Sequence, residues 1–269
     1  MASKHYENFP VASLLLPRRF RHPVAQIYRF AREADDFADE GDAPDEVRIR
    51  QLRSFLVELE RIEHGLPPGI PWFATLAAVI REYHLPLGAF RDLLSAFTQD
   101  VTQKSYASFD QVLDYCRRSA NPVGRLLLQL YGAATPSNLE ASDAICSSLQ
   151  LINFLQDVAI DLGKGRLYLP QDELVRFQIS DAQIARHDAG GNWPAFMAHQ
   201  IERARALLMS GAPLGRRLGG RIGLELRMIV EGGNRILEKL ARTNGDVFRE
   251  RPVLRWFDWP LLFARALIR

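Results

Sequence analysis

The chain is poor in lysine, in cysteine and in long apolar runs. Only four of its 34 basic residues are lysine (Lys4, Lys104, Lys164 and Lys239). Genomic base composition can produce such a bias. So can a need for arginines that grip phosphate or carboxylate through paired hydrogen bonds. The two cysteines, Cys116 and Cys146, form no CxxC, and no Cys/His cluster has zinc-ligand spacing. That excludes a disulfide scaffold and a structural zinc site of that kind, and it implies a reduced, cytoplasmic setting. No apolar run reaches the ~18–20 residues that span a bilayer. None follows the opening Met1-Ala2-Ser3-Lys4-His5-Tyr6, so no signal peptide is expected. Neither charge dominates: 34 basic against 32 acidic residues leave +2, which excludes a strongly basic nucleic-acid binder. No GxGxxG follows a strand, and Gly163-Lys164-Gly165 lacks the context of a phosphate-binding loop. Strand-like alternation and internal repeats are also missing.

What is present is helical periodicity over almost the whole length. The pattern predicts helices over 23–41, with Pro23 in the first turn, and over 46–64, 71–84 and 87–103. Ser108-Phe109-Asp110-Gln111 and Ser137-Asn138-Leu139-Glu140 read as capping boxes, the second opening a long helix to about Leu162. Pro170 and Ser180 open short helices, and others are expected over 194–210, 216–242 and 253–268. The connections are short. The expected fold is a single all-α domain over residues 1–269, a bundle of roughly nine to eleven helices.

Two segments break the ordinary rules for helices. Between Glu33 and Glu46 stand eight acids and no base. Asp35 and Asp39 are four apart, as are Asp36 and Glu40, so like charges lie on one helix face about 6 Å apart. A solvated acidic helix end is one reading. The apolar flanks Tyr28, Phe30, Ala31, Ala34, Phe37 and Ala38 speak for a buried helix, where unpaired aspartates are costly. In the long helix, Gln150, Asn153, Asp157 and Asp161 form one polar stripe among Leu, Ile, Phe, Val and Ala. An amphipathic helix with a narrow wet side is the alternative to a cavity-lining one. Two such helices facing each other can hold Mg²⁺, or Mn²⁺, on Asp35 and Asp39 from one side and Asn153, Asp157 and Asp161 from the other. Asp36 and Glu40 are the weaker ligands or partners to the ligands. Ions that keep waters and take phosphate oxygens suit a prenyl diphosphate substrate.

These residues resemble the squalene/phytoene synthase family. Asp35-Asp36-Phe37-Ala38-Asp39-Glu40 is similar to its first aspartate-rich motif. Asn153-Phe154-Leu155-Gln156-Asp157-Val158-Ala159-Ile160-Asp161 is similar to the second, and Gly165-Arg166-Leu167-Tyr168-Leu169-Pro170 to its trailer. The opening His5-Tyr6-Glu7-Asn8-Phe9-Pro10-Val11-Ala12-Ser13 and the stretch Tyr115-Cys116-Arg117-Arg118-Ser119-Ala120-Asn121-Pro122-Val123-Gly124 resemble the bacterial hydroxysqualene-forming branch. In most of the family an aromatic stands at Arg117, and Ala-Gly at Ala120-Asn121.

The resemblance implies an isoprenoid-synthase bundle around a central apolar cavity. It implies ionisation of presqualene diphosphate and quenching of the cation by water in hopanoid biosynthesis, with an upstream presqualene diphosphate synthase as a partner and no NADPH. It also implies contacts to the diphosphate or its metals from Arg32, Gln150 and Arg166, with Tyr168 and Asn8 as weaker candidates. Pairing of Arg32 with Asp35 or Asp36, and simple packing of Tyr168, are the alternatives. Phe9, Tyr28, Tyr115 and Phe154 are candidate aromatic walls for the cation. Asn121 or Arg117 is expected to position the quenching water. The rival activities are condensation of two farnesyl diphosphates, ending at presqualene diphosphate or squalene, and a non-catalytic assembly factor of the same fold. The run 253–269, apolar, aromatic and basic, reads either as the last core helix or as an anchor on the inner face of the cell membrane.

Overall fold

The computed structural model describes residues 16–268. Asn8 and Phe9 lie outside the described residues. Helix α1 runs over Arg18–Asp39 and starts earlier than Pro23 predicts. Pro23 sits inside it, on the buried stripe Phe20, Pro23, Val24, Ile27, Phe30, Ala34 and Ala38. Packing of that stripe outweighs the one backbone hydrogen bond that proline removes. Phe30 meets Phe55, Phe73 and Phe90 at 5.0–6.0 Å between ring centroids. These rings join α1 to α2 (Asp45–Glu63), α3 (Phe73–Tyr83) and α4 (Leu87–Thr102) in one half of the core.

The other half forms around α7, Pro136–Gly163, whose 28 residues extend about 42 Å. Its cap is Thr135, whose hydroxyl accepts from the Asn138 N–H, two residues before the predicted Ser137. Pro136 then takes the first helical position, where its missing N–H costs nothing. At Ser108 the cap falls as predicted, opening α5 (Phe109–Ser119). Between α5 and α7 lies α6 (Asn121–Leu130). A Cβ on Gly124 would stand 2.3 Å from Ser142 Oγ and 2.7 Å from Cys146 Sγ, so only glycine lets α6 approach α7 this closely. Helices α8 (Gln171–Arg176) and α9 (Asp181–Ala185) are the short pair after Pro170 and Ser180.

On the far side α7 packs along α10, Trp193–Gly211. The predicted helix over 216–242 is two: α11 (Leu214–Leu218) and α12 (Gly220–Arg242). Gly219 and Gly220, both at positive φ, make the break. A 3-10 turn, Trp256–Asp258, leads into α13 (Trp259–Ile268). Asp258, 1% exposed, ties this end to α12 through Arg235 at 2.8 Å and Lys239 at 2.5 Å. Those cations, with the backbone N–H of Arg255, outweigh burial and hold its carboxyl at about 2.

One feature departs from the all-α expectation. Strands β1 (Ser105–Tyr106) and β2 (Leu167–Pro170) pair in parallel, with Ser105 opposite Leu167. Pieces of two and four residues are too short to show alternation. Their effect is local but important: they pin the residues following α7 to the end of α4.

Candidate active site

Helices α1 and α7 share an anomaly visible in their last turns. Both end in aspartates, and neither has a basic residue there. The C-terminus of a helix carries partial negative charge, so each acid placed there costs about 0.3–1 kcal/mol rather than stabilising. A cation from elsewhere must offset this, and the chain supplies several. Lys164 Nζ and Arg166 Nη2, just beyond α7, donate to Asp39 of α1 at 3.0 and 2.6 Å. Burial pushes Asp39 up, but Arg166 and Lys164 win and hold its carboxyl below the ordinary value. Arg32 lies on the acids of its own helix: Asp36 at 2.7 Å, Glu40 at 3.0 Å and Asp35 at 3.6 Å. Arg251 grips Asp157 through both Nε and Nη2.

The carboxylates still outnumber what these cations neutralise. Burial pushes Asp35 up to about 7; Asp39, Asp100 and Asp36 add to this and Arg32 opposes it. Burial likewise pushes Asp161 up to about 7, with Asp157 and Asp39 adding, and Arg166 and Lys164 opposing. Asp161 of α7 thus feels Asp39 of α1 across the bundle. The two acidic stripes do face each other.

A third helix contributes an acid that the motifs do not include. Asp100 on α4 is 4% exposed and accepts from the hydroxyls of Tyr115 (2.5 Å) and Tyr168 (2.9 Å). Burial raises it to about 6, opposed by those two hydroxyls and by Arg166. Tyr168 also receives Arg166 Nη1 at 3.3 Å, and its ring stacks on Phe154 at 4.1 Å. Tyr168 therefore both packs and links Arg166 to Asp100. A signal for Asp100 exists in the sequence: it falls three residues after Phe97 on the buried stripe of α4, where an apolar side chain is due. Arg251 and Lys164 have no such signal, because their partners are 94 and 125 residues away.

The polar end opens onto an apolar cavity of about 500 Å³. Along α1 its wall runs from Val24 through Ile27, Tyr28 and Ala31 to Arg32 and Asp35, about 16 Å. Its α7 wall is Ser142, Ile145, Cys146 and Leu149, from the half of that helix preceding the acids. Hydrocarbon-lined at one end and charged at the other, the space matches a lipid-tailed anion.

Several expected residues sit elsewhere. Of the aromatic candidates that are described, Tyr28 lines the cavity, whereas Tyr115 and Phe154 lie in the aromatic cluster beside Tyr168. Phe97 and Tyr131 line it without having been foreseen. Asn153 is exposed on the acidic stripe and Gln150 half-buried one turn before it. Arg117 does not reach the cavity: its side chain is 57% exposed and paired with Asp114 at 2.7 Å. Asn121 is buried at the start of α6, where its Oδ1 accepts from Ser147 at 2.8 Å. Both border a surface groove between α5, α7 and α10.

Among the described residues no three acidic, histidine or cysteine side chains close around a single point. The donor set nevertheless fits a hard divalent ion: it is all oxygen, carries surplus negative charge, and faces a space open to a phosphate-bearing ligand.

The squalene/phytoene synthase profile matches residues 2–258. The chain belongs to the squalene/phytoene synthase family. Members of this family are enzymes that act on prenyl diphosphates. The hydroxysqualene synthase of Rhodopseudomonas palustris is 35% identical over 97% of this chain and 88% of its own length. The presqualene diphosphate synthase of the same organism is 33% identical over 74% of this chain and 71% of its own. In structure, the squalene synthase HpnC of Alicyclobacillus acidocaldarius superposes with a TM-score of 0.83 at 34% identity, covering 89% of this chain and 90% of that one. The acidic ends of α1 and α7 are joined here by the contacts of Asp39 with Lys164 and Arg166.

Proposed function

We propose that the chain is a Mg²⁺-dependent hydroxysqualene synthase, converting presqualene diphosphate and water to hydroxysqualene and diphosphate. The observation that carries this reading is the junction of cavity and charge: Arg32 and Asp35 end an otherwise apolar wall of α1. The likeness to a hydroxysqualene synthase over nearly the whole chain supports the choice of reaction.

Asp35, Asp39, Asn153, Asp157 and Asp161 would hold the divalent cation, with Asp36 and Glu40 supporting them. Bound there, the cation supplies Lewis-acid charge to the departing diphosphate. Arg32, Arg166, Lys164 and Arg251 are now engaged by carboxylates. Once those carboxylates face metal, the guanidinium groups are available to bind phosphate oxygens bidentately. The apolar wall excludes bulk water, so that a cation formed within it survives until it meets one held water. Tyr28 and Tyr131 present aromatic groups along that wall.

Two substitutions separate contact with the reaction from support of the fold. Arg117→Ala should keep kcat/KM within about twofold, since it removes an exposed ion pair that contributes little. Asn121→Ala should cost about 1–3 kcal/mol by leaving the Ser147 hydroxyl buried without its acceptor. Steady-state kinetics and thermal melts read the two effects. A large loss of turnover in Arg117→Ala would restore that residue to the chemistry.

The experiment that tests the function is product analysis with presqualene diphosphate and with farnesyl diphosphate, each with and without NADPH. Hydroxysqualene from presqualene diphosphate alone is the expected result. Turnover of farnesyl diphosphate to presqualene diphosphate or squalene would favour the condensing enzyme, and release of no diphosphate from either a non-catalytic assembly role.

A further inference from the structure

The outer face of the C-terminal helix is apolar where a surface helix is normally polar. Helix α13 buries Leu262 and Ala266 and packs on α12. The rest of it exposes Leu261, Phe263, Leu267 and Ile268, and the preceding turn adds Trp256 and Phe257. Trp256 is 82% exposed and Ile268 81%. Single exposed apolar residues are ordinary; six large ones within residues 256–268 form a patch that marks a binding surface.

Two further observations say what covers it. The first is charge. From Arg249 to Arg269 the sequence holds five arginines and two acids; one of those acids, Asp258, is buried, while Arg251 is engaged by Asp157 and Arg265 by Glu238. Arg249 and Arg255 are 89% and 54% exposed, beside Asp246 and Glu250. The second is position. Arg216 of α11 donates to the Ile268 carbonyl at 3.2 Å. Leu214 and Leu218 of α11, with Ile222 and Leu226 of α12, line the apolar cavity. Helix α11 therefore touches the end of α13 and also lines the cavity.

We propose that this face seats on a bilayer surface containing anionic phospholipid, its aromatic and aliphatic side chains at the headgroup boundary and Arg249 and Arg255 at the phosphates. Ten residues of α13 extend about 15 Å, half the hydrocarbon thickness, so the helix lies in the surface and does not cross it. A second copy of the chain fits less well. A two-fold contact sets a patch against itself, bringing each arginine rim against its own like charge. Docked this way, α11 and α12, which line the cavity, lie next to the helix that meets the lipid into which a C30 alcohol partitions. That consequence rests on the proposed function; the docking does not.

The test is sedimentation of the intact chain with vesicles of phosphatidylcholine alone and of equal parts phosphatidylcholine and phosphatidylglycerol. The chain should bind the mixed vesicles more tightly than the neutral ones. The Trp256→Ser/Phe263→Ser/Ile268→Ser variant should lose at least about tenfold in affinity while melting as the parent does. Arg249→Glu/Arg255→Glu, at exposed positions, should weaken binding to the mixed vesicles and flatten its salt dependence. A parent chain that stays in the supernatant, or an apolar variant that binds equally well, would overturn the proposal. So would a patch-dependent dimer in sedimentation velocity without vesicle binding, and equal binding to neutral vesicles would overturn the anionic surface. No substrate enters the measurement, so its failure leaves the reaction untouched, and failure of the reaction leaves it standing.

Discussion

Asp161→Asn should cut turnover by about a thousandfold or more and yet raise the melting temperature of the metal-free protein. The two effects have one cause. At pH 8, above its raised value of about 7, the Asp161 carboxylate is held against burial, against Asp157 and Asp39, and near the negative end of α7. Removing its charge relieves all three while keeping its shape. The same charge is what a divalent cation needs from this side of the bundle. Loss of a group that stabilises developing charge costs about 10²–10³ in rate, and losing a ligand as well takes the effect to the upper end or beyond. Steady-state kinetics and thermal melts in chelator, run on the same preparation, give both numbers. A variant that is inactive and also less stable would mean that Asp161 is structural, and that its raised carboxyl has been misread.

Removal of divalent metal should have a pH-dependent effect on stability, and its sign follows from the raised groups. Asp35 and Asp161 titrate at about 7 in the folded chain, against about 4 when unfolded. In that window the folded state holds more protons, so stability is highest below pH 4 for these groups and falls as pH rises toward 7. Asp39, whose carboxyl lies below the ordinary value, contributes in the opposite sense, but only at more acid pH. The metal-free chain should therefore lose melting temperature between about pH 5.5 and 8. Mg²⁺ at about 100 times its Kd should return about 2.7 kcal/mol at pH 8, or roughly 5 °C for a chain of this size. At pH 5.5 the same concentration should give a smaller shift, because protons compete for the ligands. Equal shifts at both pH values, or none at pH 8, would contradict a site built on these carboxylates.

The aspartate stripes were legible because they violate helix physics. Asp35 and Asp39, or Asp157 and Asp161, four apart on helices otherwise apolar, need an external reason, and that reason is local enough to read. Residues that answer them from a distance were not legible. Arg251 reaches Asp157 from beyond α12, and Lys164 reaches Asp39 only because β1 and β2 fix the chain after α7. Asp100 was readable in principle, as an acid on an apolar stripe, but one residue of that kind does not announce its partners Tyr115 and Tyr168. The place of Arg117, outside the cavity, was not legible for the converse reason. Its departure from the family pattern is real, but which side of α5 it occupies depends on how α5 packs on α6 and α7, and that packing turns it toward Asp114 and solvent. The helix count failed at Gly219-Gly220, where periodicity continues across a backbone break, and at α6, which the pattern did not separate from α5.

The proposed reaction is ionisation of presqualene diphosphate in this cavity, ended by water. The most direct measurement is turnover of presqualene diphosphate with Mg²⁺ in H₂¹⁸O, without NADPH, followed by mass analysis of the lipid product. The account predicts a C30 alcohol carrying one ¹⁸O per molecule. An unlabelled alcohol, a hydrocarbon that forms only when NADPH is added, or product from farnesyl diphosphate alone would contradict it.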